Sequence, residues 1–165
     1  GGVDLGESFV GSVAGEIYRD EVIGVMINPP KGWEMDLSGE SGVSVVFLDP
    51  KTKTISNANY ATTITIEKYK LGSVSLQDQV LLSKKVLNDS FAGFEIESDV
   101  QIYHDQKSFH LISGVYTADG VKIRRKSIFT VYKEYGYAVS ASGPVEDWSN
   151  NESVIEKSLD SFKIL

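Results

Sequence analysis

Residues 121–165 read VKIRRKSIFTVYKEYGYAVSASGPVEDWSNNESVIEKSLDSFKIL. From Val121 to Tyr132, apolar and polar residues alternate with the two-residue period of a strand. Glu134-Tyr135-Gly136 turns the chain into a second strand, Tyr137 to Ser142. Gly143-Pro144 then opens a helix, since proline's fixed φ and missing N–H are tolerated in a first helical turn. Trp148, Ile155, Leu159 and Phe162 fall on one stripe of that helix. The segment is thus a hairpin followed by an amphipathic helix, and it carries no catalytic constellation.

Upstream, Phe94 to His104 and Phe109 to Thr117 continue the strand pattern, and Ala118-Asp119-Gly120 is a tight-turn signal. In the first of these strands, alternation places Glu95, Glu97 and Asp99 on one face and Phe94, Ile96, Val100 and Ile102 on the other. Between Ser75 and Phe91 the period changes. Leu76, Val80, Leu87 and Phe91 lie near one helical stripe, interrupted by Ser83, and Ser75 with Asp78 forms a capping-box-like start. Three earlier segments read as strands: the apolar runs Val22 to Asn28 and Val43 to Leu48, and the alternating Ala61 to Tyr69. Pro29, Pro30 and Gly32 stop the first run, and Trp33 follows as a plug for the core. Lys51 to Asn59 reads as a polar turn. Residues 1–15, rich in Gly and Ser, read as a flexible lead before a single domain spanning 16–165.

Several strands are apolar on both faces, so both faces of the sheet need cover, and two amphipathic helices supply it. The expected fold is α+β, an α-β-α sandwich around an antiparallel sheet of about six strands.

Composition narrows the function. The chain has 165 residues, 41% hydrophobic and 24% charged, the values of an ordinary globular domain. Its net charge of −7 argues against nucleic acid and anionic membrane surfaces as partners. It has no cysteine, which excludes disulfides, thiolate metal sites and a cysteine nucleophile. No apolar run reaches the roughly 18–20 residues that span a bilayer. The chain begins Gly1-Gly2-Val3, so either a targeting segment preceded it or its first residues are foreign.

The order and spacing of several short blocks resemble the PsbP family, named for an extrinsic protein of the photosynthetic oxygen-evolving complex. The blocks are Tyr18-Arg19-Asp20, Gly24, Ile27, Pro29-Pro30 and Gly32-Trp33, then Val46-Phe47-Leu48-Asp49 and Asn57. They continue with Tyr116 to Gly120, Thr130-Val131, Tyr135-Gly136-Tyr137, Trp148 and Ser161-Phe162. The resemblance covers most of residues 18–165 and implies an antiparallel sheet between helices, a fold shared with a nuclear import factor that binds the GTPase Ran. It implies no enzymatic activity and no cofactor. It also implies an exported protein, secreted or lipid-anchored, that acts in assembly or by binding a protein partner. The turn at Asp119-Gly120 lacks the Gly-rich insert of plant members, which points to a non-photosynthetic one. On this reading the chain is a monomer. It meets a membrane only through an anchor preceding residue 1.

The alternative function is binding of a small ligand or metal ion in a cleft between sheet and helix. Its candidate residues are the basic cluster Lys122, Arg124, Arg125 and Lys126 with Tyr132 nearby. Alternation puts Arg125 on an apolar face, where it must snorkel, pair with an acid or sit at a bulge. The metal reading has His104 with Asp105 as ligands. A hairpin pairing 104 with 109 sends His104 and His110 to opposite faces, which argues against a shared metal. The row Glu95, Glu97 and Asp99 is read as a solvated face rather than a Ca²⁺ site. Tyr132, Tyr135 and Tyr137 are read as cross-strand pairs in preference to a partner anchor. The chain has no Gly-x-Ser-x-Gly elbow, P-loop or dinucleotide fingerprint, so no catalytic residue is assigned.

Overall fold

The structure is a computed structural model that describes residues 10–13, 17–37, 43–55 and 60–165. Among these residues, eleven strands and three helices follow in the order β1 Val10–Val13, β2 Tyr18–Asp20, β3 Val25–Ile27, β4 Trp33–Asp36, β5 Val43–Leu48, α1 Pro50–Ile55, β6 Thr63–Lys70, α2 Leu76–Ser90, β7 Glu95–His104, β8 Lys107–Ala118, β9 Val121–Tyr132, β10 Tyr135–Pro144, α3 Val145–Ser161 and β11 Lys163–Ile164. Eight strands form one antiparallel sheet in the order β1-β4-β5-β6-β10-β9-β8-β7. The other three form a small antiparallel sheet, β11-β3-β2. The predicted lead lies outside the described residues except for Val10–Val13, which pair with Trp33–Asp36.

The layers follow from the apolar faces. Ile64, Ile66, Ile128, Val139 and Ala141 project from one face of the large sheet and are buried. Trp148, Ile155 and Leu159 of α3, with Phe162 at its C-cap, cover them. The small sheet adds Val25 and Ile27 to the same core. Helix α2 lies on the opposite face, against β8 and β9. The expected α-β-α sandwich is therefore present, with the small sheet beside α3.

The run Val22 to Asn28 divides differently from its pattern. Asp20 Oδ1 accepts from the backbone N–H groups of Val22 and Ile23, and Gly24 adopts φ +77°. The first half is thus a turn, with Val22 almost fully exposed. Only Val25–Ile27 forms a strand, and it is central to the small sheet, not the large one. Residues 50–55, overlapping the expected polar turn, form the short helix α1, where Asp49 Oδ1 accepts from the Lys51 N–H.

Three hairpins build the β7–β10 meander. Each turns through two residues with positive φ: Asp105 and Gln106, Asp119 and Gly120, Lys133 and Glu134. Such turns match the right-handed twist of strands but suit Asn and Gly best. Glu134 stands exposed at φ +70°. Glu134→Gly is therefore expected to stabilise the chain by about 0.5–1 kcal/mol, read as a higher urea midpoint. An unchanged or lower midpoint would contradict the turn geometry.

Candidate functional site

The residues proposed from sequence as one basic cluster are distributed over two faces and two ends of β9. Lys122 is exposed near its start. Arg124 points to the α3 side, where its Nε and Nη2 each donate to Glu97 at 3.0 Å. Lys126, on the same face, pairs with Glu156 of α3. Tyr132 lies eight residues beyond Arg124, roughly 27 Å along an extended strand. It sits between Lys107 and Lys133, whose ammonium groups lie 5.3 and 5.2 Å from its ring. Tyr135 and Tyr137 flank Lys68 across the β6–β10 ladder. These tyrosines are packed in cross-strand pairs.

The histidine hairpin turns two residues earlier than expected, so His104 pairs with Lys107 and Gln101 with His110. A two-residue loop suffices because Asp105 and Gln106 both accept left-handed backbone. The shift is even, so the two histidines still face opposite sides. His104 Nε2 donates to the Phe162 carbonyl at 2.7 Å, and its ring meets Phe109 edge-on. His110 Nε2 lies 2.5 Å from Asp99 Oδ1 on the α2 side. Asp105 occupies the turn. Among the described residues no cluster of three or more His, Asp or Glu side chains is placed to hold a metal.

The carboxylate row is broken by a register shift between Ile96 and Ser98. A bulge of this kind sends neighbouring side chains of one parity to different faces. Glu97 thus joins Arg124 on the α3 side, and Asp99 joins Lys84 and His110 on the α2 side. The hydrogen bond from Lys84, then that from His110, holds the Asp99 carboxyl below its ordinary pKa. A depressed folded pKa contributes stability above the unfolded value and loses it as pH falls through the carboxylate range. The native chain is expected to exceed Asp99→Asn in urea midpoint at neutral pH, with the gap closing below about pH 4. A gap that did not change with pH would contradict the ion pair.

Arg125 alone of the cluster turns toward α2. It is held by neither a bulge nor an ion pair. Its Nη2 donates to Ser140 Oγ at 3.3 Å, and its guanidinium lies 5.5 Å from the centre of the Phe91 ring. Phe91 in turn stacks on Tyr116 at 4.5 Å. The Nε is shielded from solvent without a hydrogen-bond partner. Burial lowers the Arg125 pKa, while Glu67 acts through space in the opposite direction.

The guanidinium faces a cavity of about 300 Å³ between α2 and the sheet. The cavity exists because α2 fills its side poorly. Ser75 caps the helix as the sequence indicates, its Oγ accepting from the Asp78 N–H at 3.1 Å. The only α2 residue buried to core level, however, is Gln79. Leu82 and Val86 line the cavity yet stay about half exposed, at 49% and 51%. Gln79 lies one step off the predicted stripe, and helical periodicity counts a polar residue there as surface. Gln79 Nε2 donates to Tyr69 Oη at 2.9 Å, and its Oε1 is buried without a partner. Burial raises the Tyr69 pKa, with Glu67 adding to the effect.

No protein-family profile matches the chain, and no curated protein matches it by sequence. Solved structures do match. The solution structure of cyanobacterial PsbP (CyanoP) from Synechocystis superposes with a TM-score of 0.68 and 20% identity, covering 100% of this chain and 96% of that one. The fold is PsbP-like. A Pseudomonas aeruginosa protein of unknown function shares this PsbP-like arrangement with a TM-score of 0.62 and 10% identity, covering 88% of this chain and 94% of its own. LpqN, involved in cell envelope biogenesis of Mycobacterium tuberculosis, superposes with a TM-score of 0.55 and 13% identity over 98% of this chain and 86% of LpqN. At these identities the likeness establishes the PsbP-like fold and not the activity.

Proposed function

We propose that the chain is a non-catalytic interaction or assembly module that works outside the cytoplasm, secreted or held to a membrane by an anchor outside this sequence. The observation that carries this reading is the PsbP-like fold shared over nearly the whole chain with CyanoP and with LpqN, a protein involved in cell envelope biogenesis. The histidines add support. A general base must reach a substrate proton, whereas here one imidazole serves the Phe162 carbonyl and the other the Asp99 carboxylate. The partner on this reading is a protein, with no nucleic acid and no cofactor. The test is protease accessibility in cells that express the chain naturally. Digestion after the outer layers are opened, with the inner membrane intact, is the expected result. Protection until the cytoplasm is released would overturn the location.

A further inference from the structure

A polar group cut off from water and left without a hydrogen bond is destabilised, and native proteins rarely leave one in place without a use. The cavity beneath α2 has two. The Arg125 Nε is a donor without an acceptor, and Gln79 Oε1 is an acceptor without a donor. Gln79 is only 4% exposed, so solvent at the cavity mouth does not satisfy it.

The two groups mark opposite ends. Arg125 packs on Phe91, at the C-terminal end of α2. Gln79 lies in the first turns of the same helix and bonds Tyr69. Between them the walls are apolar, formed by Leu82, Val86, Leu87, Ile112 and Phe129. The Glu67 carboxylate also lines the space, and its charge reaches both Arg125 and Tyr69. Arg125 therefore offers a cation at one end, Gln79 offers an acceptor at the other, and the wall between them is largely apolar. No described carboxylate pairs with Arg125, although Glu97 and Glu156 are paired by the basic residues on either side of it. The volume stands at the small end of the range for ligand pockets, roughly 300–1,000 Å³.

We propose that this cavity binds a small amphipathic carboxylic acid. Its carboxylate sits on Arg125, its apolar body lies along Leu82 and Val86, and a hydroxyl at its far end donates to Gln79 Oε1. Arginine is suited to the first contact because its fork of donors matches a carboxylate. The Phe91 ring already fixes the guanidinium plane. The bound body would cover the apolar surface that Leu82 and Val86 now expose. This inference is independent of the assembly role, since partner binding could fail with ligand binding intact, and the reverse.

The test uses the full chain at neutral pH, with ω-hydroxyoctanoate, octanoate and octanol as probes in isothermal titration. The expected order is ω-hydroxyoctanoate tightest, octanoate several-fold weaker, and octanol at least tenfold weaker than octanoate. Arg125→Met keeps an unbranched stem as far as the Nε position and removes the buried charge, so the chain should fold, as circular dichroism will show. In that variant octanoate should bind no better than octanol. In Gln79→Leu the preference for the hydroxyl should vanish while octanoate binding persists. Equal binding of octanol and octanoate by the native chain would overturn the assignment. Failure of all three probes to bind the folded chain would overturn it as well.

Discussion

Phe162→Ala should destabilise the chain by about 3–5 kcal/mol, the usual loss when a fully buried aromatic ring is truncated. The ring is 0% exposed and meets Phe109 edge-on, with centroids 6.4 Å apart. It stands where α3 ends and β11 begins, so it links the helix, the large sheet and the small sheet. The substitution leaves the Phe162 carbonyl in place to accept from His104. The loss therefore reads packing and not a missing hydrogen bond. Against a typical total of roughly 5–15 kcal/mol, it should bring the chain close to unfolding at ambient temperature. Urea denaturation gives the value, and a loss below about 1 kcal/mol would mean that the ring is not central to the core.

Gly114→Ala should be the next most damaging change, at about 1–3 kcal/mol. A Cβ there would lie 2.3 Å from the Glu95 carbonyl oxygen and 2.7 Å from the Phe94 ring. The ring can turn, but the carbonyl belongs to the β7 backbone. Gly114 faces Ile96 beside the register shift in that strand. The start of β7 must therefore move away from β8, loosening the Phe91, Phe94 and Tyr116 rings that border Arg125. The expected result is a lower urea midpoint with faster amide exchange confined to the first half of β7. Unchanged exchange in β7 would contradict the close approach.

The C-terminal hairpin and helix were legible because their signals agree. Two-residue alternation, a turn, a proline at the helix start and an apolar stripe all point to β9, β10 and α3. The Ser75 cap was legible for the same reason. The start of the chain was less so. In Val22 to Asn28 the apolar run looks continuous, and the Asp20 side chain that converts its first half to a turn acts from outside the run. Trp33–Asp36 and Lys163–Ile164 are strands too short to show a period, and they pair only because distant segments meet them.

The candidate site was half legible. Alternation placed Arg125 on an apolar face, and it lies there. Its neighbours in sequence did not follow it, because Arg124 and Lys126 project from the opposite side of the strand, and Tyr132 lies near its far end. Gln79 left no signal, since a buried glutamine reads in a helical pattern as a surface residue. The bulge in β7, which separates Glu97 from Asp99, has no signature in a run of alternating residues.

The central claim is that the chain acts by holding a protein partner outside the cytoplasm. Cross-linking in intact cells that express it naturally, followed by mass spectrometry of the captured complex, tests that claim most directly. The account predicts one or a few extracytoplasmic proteins joined reproducibly to the chain. A chain recovered only as an unlinked monomer, with its neighbours captured no more often than by an unrelated exported protein, would contradict it.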